Sequence, residues 1–116
     1  MKNLGFVYRL RFAIQGWRHA WAQETSFRTQ IIAALLIFAA LAAWRPPLVW
    51  WALVGVMVVL VLAAELFNTA LENLADVCSA QPHPAIKVAK DCAAGAVLML
   101  SIGALWVALL MVLAMR

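Results

Sequence analysis

Four polar side chains recur at helical spacing directly after a long apolar run. They are Glu65, Asn68, Glu72 and Asp76, at positions i, i+3, i+7 and i+11. Because a helix turns by about 100° per residue, these positions share one face within roughly 80° of arc and extend over about 17 Å. Carboxylates this close repel one another unless a cation lies between them. The spacing therefore predicts a helical carboxylate stripe, made of these four residues, that can hold a divalent cation.

Positive charge follows the stripe, at Lys87 and Lys90. Mg²⁺ in proteins takes one or two carboxylates, keeps several waters and binds substrate phosphates, and lysine binds phosphate as a point charge. The sequence has no glycine-rich phosphate loop and no protein-kinase motif set, so side chains at helix ends must hold any nucleotide. Phosphate chemistry is one interpretation of this pattern. The alternative is structural, with ion pairs that join the acids Glu24, Glu72 and Asp76 to the bases Arg18, Arg28 and Lys87.

The composition places this chemistry at a membrane. Of the 116 residues, 67% are hydrophobic, and the mean hydropathy is +0.94. A soluble domain of this size buries only about 60–70% of the surface that its unfolded chain exposes, so it cannot hide this much apolar surface from water. The net charge is +4, and the basic residues flank the apolar runs instead of forming a stripe. This distribution favours anionic lipid headgroups over nucleic acid as their partner.

The apolar pattern predicts an all-α membrane protein with one domain over residues 1–116. An N-terminal amphipathic surface helix is expected at about 4–24, where Leu, Ile and Trp recur every three or four residues among arginines. Such a helix lies in the membrane interface. Three transmembrane helices follow, the second of which continues as a cytoplasmic helix to about residue 80. The spans are expected at about 27–44, 48–64 and 92–115.

The basic residues predict how the chain crosses the membrane. Seven of the nine Lys and Arg residues precede the first span or lie in the loop between the second and third spans. The positive-inside rule then places the N-terminus and that loop in the cytoplasm and the C-terminus outside. Three helices make a thin bundle for chemistry, so an oligomer is expected. On this topology the five acidic residues all gather at the cytoplasmic face: Glu24, Glu65, Glu72, Asp76 and Asp91.

These residues resemble the prokaryotic diacylglycerol kinase family, small trimeric enzymes of the bacterial cytoplasmic membrane that include undecaprenol kinases. The resemblance lies in Glu65-Leu-Phe-Asn68-Thr-Ala-Leu-Glu72, then Asp76, then Lys90-Asp91. Upstream, Glu24-x-x-Phe27-Arg28 is similar to a further motif of the family. The resemblance covers nearly the whole chain. It implies a homotrimer that uses ATP and Mg²⁺ to phosphorylate a lipid alcohol.

The resemblance also implies roles for the acids and for Asn68. Glu24 and Glu72 match the residues that coordinate the nucleotide-bound Mg²⁺. Glu65 matches the general base that deprotonates the lipid hydroxyl, and Asn68 matches a polar neighbour that positions this base. Asp76 matches an acidic position whose task the resemblance does not define.

A second group of residues matches nucleotide contacts of the family. Lys90 matches a phosphate contact, and Asp91 matches a further nucleotide contact. The loop before them falls where the loop of the family meets the nucleotide. The implied nucleotide-binding set is therefore Glu24, Glu72, Gln81, Pro82, His83, Lys90 and Asp91.

The expected reaction is phosphorylation of undecaprenol or diacylglycerol at the cytoplasmic face. His83-Pro84 and the stretch 93–97 look more like the undecaprenol kinase branch, which tilts the expectation toward that alcohol. A different class of protein is also consistent with an acid at the end of an apolar helix. A small oligomeric transporter can couple protons to export through such a residue. A transporter glutamate would lie in the middle of a span, whereas the stripe extends from Glu65 toward the cytoplasm.

Overall fold

Four helices build the part of the protein that the structure describes. The computed structural model describes residues 5–78 and 81–116, and within these residues there is no strand. The first helix is the shortest, and the other three are each long and apolar enough to cross a membrane. The predicted all-α architecture of one N-terminal helix and three spans is confirmed, and the chain is a multi-pass membrane protein. The helices are α1 (Phe6–Gln23), α2 (Thr25–Trp44), α3 (Leu48–Cys78) and α4 (Pro84–Met115).

The observed ends of the helices extend the predicted spans. The predicted start of the surface helix at residue 4 and the predicted end of the second long helix at about 80 lie outside the described residues. The fourth helix begins at Pro84, eight residues before the predicted span. Proline suits the first turn of a helix because its missing N–H needs no partner there. His83 caps this end, since its Nδ1 accepts a hydrogen bond of 3.1 Å from the Ala85 N–H.

A single residue, Glu24, joins α1 to α2. Its backbone is extended (φ −114°, ψ 108°), which ends one helix and lets the next begin in a new direction. The Glu24 N–H donates to the Ala20 carbonyl at 2.8 Å, and its own carbonyl accepts from the Arg28 N–H at 3.2 Å. The carboxylate caps neither helix. The backbone thus holds Glu24 from both sides and leaves its side chain available for other contacts.

The turn between α2 and α3 is closed by Arg45 and two prolines. Arg45 is left-handed (φ 58°, ψ 53°), and its N–H donates to the Leu41 carbonyl at 2.8 Å. This is the common way to satisfy the last carbonyls of a helix, although glycine usually takes the position. Pro46 and Pro47 cannot continue α2. The turn makes α2 and α3 antiparallel neighbours.

The small buried core lies near this turn, at the end of the bundle far from the carboxylates. Leu41, Val54 and Met111 form it, one from each long helix. Phe38 and Trp51 stack beside it with ring centroids 6.3 Å apart. Most other large apolar side chains of the three long helices are exposed. In lipid these side chains need no protein partner, so helix association relies on close packing at the core.

The position of the core predicts that two leucines of α2 contribute differently to the free energy of unfolding. Leu41 is 1% exposed and Leu36 is 66% exposed. Leu41→Ala leaves a cavity and is expected to lower the free energy of unfolding by about 2 kcal/mol, near the lower limit for such changes because lipid also solvates leucine. Leu36→Ala is expected to change it little. Denaturation in detergent micelles measures both, and equal losses for the two variants would contradict the packing described.

Candidate functional site

The carboxylate stripe continues the inward face of α3. Val54 and Val61 are buried on this face, and Glu65 follows Val61 by four residues. Thr69 comes one turn later and is also buried. Residues four apart on a helix lie one above the other on the same face. The polar stripe therefore faces the other helices at its membrane end, as a continuation of the surface that holds the bundle together.

Glu65 is a buried carboxylate without a compensating charge. Its residue surface is 7% exposed. Among residues 5–78 and 81–116 no side chain forms a hydrogen bond or an ion pair with it, and its electrostatic neighbours are the like-charged Glu24 and Glu72. Burying an unpaired charge is costly, so such groups are rare outside functional sites. The structure thus places Glu24 and Glu72 within electrostatic range of Glu65.

Asn68 connects the stripe internally and leaves one atom unsatisfied. Its Nδ2 donates to Glu72 Oε1 at 3.3 Å. Its Oδ1 is buried and has no hydrogen-bond partner within the described part of the chain. A buried acceptor without a partner costs about 1–3 kcal/mol. The amide oxygen and the Glu72 carboxylate thus present adjacent oxygen atoms to a donor or a cation.

These oxygen donors fit Mg²⁺ held together with a nucleotide. No group of three or more His, Cys, Asp or Glu side chains converges on a metal position in the described segments. A structural zinc site or a calcium cage needs such a group, whereas Mg²⁺ takes one or two carboxylates and completes its shell with water and phosphate. Glu24 and Glu72, with the free oxygen of Asn68, match that requirement.

Two ion pairs lie on the last turns of α3 and the first turns of α4. Lys90 Nζ lies 3.1 Å from Asp76 Oδ1, which joins the two helices, and Lys87 Nζ lies 2.7 Å from Asp91 Oδ2 within α4. The structural alternative predicted different partners. Asp76 is indeed paired, but with Lys90, and within the described residues Glu24 and Glu72 form no ion pair. Arg28 donates instead to Thr25 Oγ1 at 3.3 Å.

A cavity of about 640 Å³ adjoins these ion pairs. Its volume is within the range of small-molecule sites. On α3 the cavity begins at Ala75 and Asp76, about one helical turn or roughly 5–6 Å from Glu72. It unites the predicted nucleotide-binding loop with the predicted phosphate contact, whereas Asp91 and the two predicted metal ligands do not line it. Its polar lining is Asp76, Gln81, His83, Lys87 and Lys90.

Lys87 lines the cavity beside Lys90, although the nucleotide-binding set implied by the family resemblance does not include it. It precedes Lys90 by three residues, so both lie on the same face of α4. That spacing was visible in the sequence. Because α4 begins at Pro84, residues 87 and 90 are both helical, and only then does a spacing of three place them on one face.

The comparisons with known proteins agree on one family. The family described as prokaryotic diacylglycerol kinase matches residues 11–112. A protein of Synechocystis sp. named diacylglycerol kinase is 36% identical over 95 residues, which are 81% of this chain and 54% of that protein. A protein of Helicobacter pylori with the same name is 31% identical over 87 residues, 75% of this chain and 68% of its own length. This chain thus spans about half the length of the first relative and two thirds of the second.

The contact between α3 and α4 predicts a small, salt-sensitive coupling between Asp76 and Lys90. The Asp76 side chain is 71% exposed and that of Lys90 is 39% exposed. Because water screens such a pair, a double-mutant cycle with Asp76→Asn and Lys90→Met is expected to give about 0.2–1 kcal/mol of unfolding free energy. The coupling should decrease at high ionic strength. The matched control is Asp76→Asn with Lys87→Met, which should show no coupling because Lys87 pairs with Asp91. A coupling confined to that control pair would refute the assignment.

Proposed function

Because the chain belongs to the prokaryotic diacylglycerol kinase family, we propose that it is a lipid kinase that transfers the γ-phosphoryl group of ATP to a membrane lipid alcohol. The observation that carries the proposal is the buried, unpaired carboxylate of Glu65 at the end of an apolar helix. A lipid hydroxyl resides near the membrane boundary, and a base for it must lie at that depth. The stripe then leads from Glu65 toward the lysine-lined cavity.

In the proposed reaction, Glu65 is the general base. The lipid hydroxyl oxygen forms a bond to the γ-phosphorus while the bond from that phosphorus to the bridging oxygen of ADP breaks. The hydroxyl proton passes to the Glu65 carboxylate, and ADP leaves. No basic side chain pairs with Glu65 in the described segments, so its carboxylate is not occupied by a competing ion pair. Asn68, one turn along the same face, helps to position the reacting groups.

Glu24 and Glu72 are the proposed ligands of Mg²⁺. They approach the site from different elements, Glu24 from the α1–α2 joint and Glu72 from α3. When held by these two carboxylates, Mg²⁺ would supply neutralisation of the charge on the transferred phosphoryl group and on the leaving phosphate. The mutual repulsion of these acids with Glu65 favours a cation between them. Phosphoryl transfer depends mainly on such positioning and charge neutralisation.

The nucleotide is proposed to bind on the cytoplasmic side of the stripe. The cavity brings Lys90 and Lys87 close to Gln81, Pro82 and His83. An ammonium group has three donors, so Lys90 can contact phosphate oxygens while it keeps one hydrogen bond to Asp76. Asp91 holds Lys87 in place through the 2.7 Å ion pair. In this proposal the two lysines are the electrostatic counterpart of the polyphosphate.

The proposed setting is the bacterial cytoplasmic membrane, with the N-terminus inside, the C-terminus outside and three copies of the chain in the assembly. The distribution of basic residues supports this orientation. The acceptor is proposed to be undecaprenol or diacylglycerol. The sequence at His83-Pro84 and 93–97 favours undecaprenol, whereas the relatives carry the name diacylglycerol kinase. A proton-coupled transporter receives no support from these relatives.

The decisive experiment measures ATP consumption by the protein in nanodiscs with Mg²⁺ and either undecaprenol or diacylglycerol. Turnover should require one of these alcohols and yield its phosphate, identified by thin-layer chromatography or mass spectrometry. An absence of lipid-dependent ATP consumption by the folded protein would overturn the proposal. The lipid that gives the higher kcat/KM identifies the preferred acceptor.

The role of Glu65 predicts a separation of chemistry from nucleotide binding. Glu65→Gln keeps the size and polarity of the side chain but cannot accept the hydroxyl proton. It is expected to lower kcat by about 10²–10⁴-fold, the usual contribution of a general base. The Kd for ATP, measured by calorimetry with Mg²⁺, should stay nearly unchanged. Near-normal turnover by this variant would remove Glu65 from the role of base.

The role of Glu72 predicts an altered metal requirement. Glu72→Gln removes one proposed ligand and is expected to raise the half-saturating Mg²⁺ concentration roughly tenfold or more, since even residues outside the ligand shell often have effects of this size. Glu24→Gln should behave in the same way. Asp76→Asn removes the same charge from the next turn of α3 and serves as the control. A similar shift in all three variants would indicate general electrostatics instead of ligation.

A further inference from the structure

A groove of about 330 Å³ lies between α2, α3 and α4 inside the membrane-spanning part of the protein. Alanine and valine side chains form most of its walls. Ile37 and Leu105 at its rim are exposed, so the groove is open to lipid from the side. Two polar residues interrupt this apolar lining, Gln30 from α2 and Ser101 from α4.

Gln30 and Ser101 have no hydrogen-bonding partner for their side chains in the described part of the chain. Both are partly buried, and no described residue forms a side-chain hydrogen bond with either. Lipid tails offer neither donors nor acceptors, and an unsatisfied polar group in a bilayer is costly. Two such groups on different helices that line the same groove indicate an occupant with oxygen atoms.

The register of the helices places both residues near Glu65. The ion pair fixes Asp76 of α3 opposite Lys90 of α4. Glu65 lies eleven residues before Asp76, and Ser101 lies eleven residues after Lys90. The two helices are antiparallel, so Glu65 and Ser101 lie at the same depth, about 16 Å from the ion pair.

The turn between α2 and α3 gives the same depth for Gln30. Gln30 lies fourteen residues before the end of α2, and Leu62 lies fourteen residues after the start of α3. Leu62 also lines the groove and is less than one helical turn from Glu65. Gln30 and Ser101 therefore flank α3 at the level of the proposed base.

The groove also shares the face of α3 that carries Glu65. Val58 and Val61 line the groove, and Glu65 follows them by seven and four residues, spacings that keep one face of a helix. Glu65 thus lies one turn beyond Val61, at the cytoplasmic end of the groove. A chain-like molecule in the groove would bring one end to Glu65 and leave its other end in lipid.

We propose that Gln30 and Ser101 are specificity-determining residues that hydrogen-bond the oxygen-bearing head of the acceptor lipid, whose chain lies along the groove. This inference rests on the proposed kinase function and adds to it the residues that hold the acceptor. Ser101 donates or accepts one hydrogen bond, and the Gln30 amide offers both functions. Together they hold the hydroxyl near the Glu65 carboxylate, and the apolar walls solvate the chain.

The test uses Gln30→Leu, which keeps the approximate shape of the side chain, and Ser101→Ala, which removes only the hydroxyl. Each loses a hydrogen bond to the acceptor and is expected to raise the KM for the lipid alcohol about three- to tenfold. The KM for ATP should stay unchanged, because the proposed nucleotide cavity lies at the Asp76 end of the stripe and the groove lies at its Glu65 end. Thr29→Val is the matched control, since Thr29 neighbours Gln30 but is exposed and does not line the groove.

The measurements are made with diacylglycerol and with undecaprenol in nanodiscs. Diacylglycerol has ester carbonyls that accept hydrogen bonds, whereas undecaprenol has a hydroxyl but no ester. A larger rise in the KM for diacylglycerol therefore assigns the hydrogen bonds to the ester, and equal rises for both lipids assign them to the hydroxyl. If the wild-type protein is active and neither variant changes the KM for lipid, the inference is refuted while the kinase function stands. It is also refuted if the variants instead change the oligomeric mass, because the groove would then be an interface between copies. A wild-type protein without lipid-dependent turnover refutes the proposed function itself.

Discussion

The α3 helix runs without a break from the apolar core at one end to the carboxylate stripe at the other, and the other elements are placed relative to it. One face of this helix holds Val54, Val61, Glu65 and Glu72 in sequence. The face that packs against α2 and α4 must therefore also carry charge near the membrane boundary. A hydrogen-bonded helix makes this possible because it satisfies its own backbone while the side chains change from apolar to ionic.

Charge is distributed unevenly along this helix. At the end of α3 and the start of α4, Asp76 and Asp91 are each paired with a lysine. Closer to the membrane, Glu24, Glu65 and Glu72 have no basic partner among the residues that the structure describes. The paired region can exchange one anion for another, whereas the unpaired region attracts cations. A nucleotide with its bound Mg²⁺ carries both kinds of charge. In the proposed arrangement the lysines face the negative phosphates and the unpaired glutamates face the metal ion.

Periodicity in the sequence was sufficient to predict the four helices and the shared face of the stripe. Both depend on local spacing, which a single chain displays directly. The predicted third span began only at residue 92, whereas α4 begins at Pro84, because proline at the first position of a helix favours its start. The Asp76–Lys90 pair and the groove with Gln30 and Ser101 depend on the register between helices, which no local pattern encodes. The roles of individual site residues, the orientation and the trimer stay predictions.

The joint at Glu24 has a mechanical consequence. Only this residue separates the surface helix from the first span, and hydrogen bonds to Ala20 and from Arg28 hold its backbone on both sides. Such a joint has little slack, so a change in the tilt of either helix moves the Glu24 carboxylate. Tilt in turn follows the thickness and lateral pressure of the bilayer. The physical state of the membrane therefore affects the position of this one carboxylate, and with it the geometry of the candidate site.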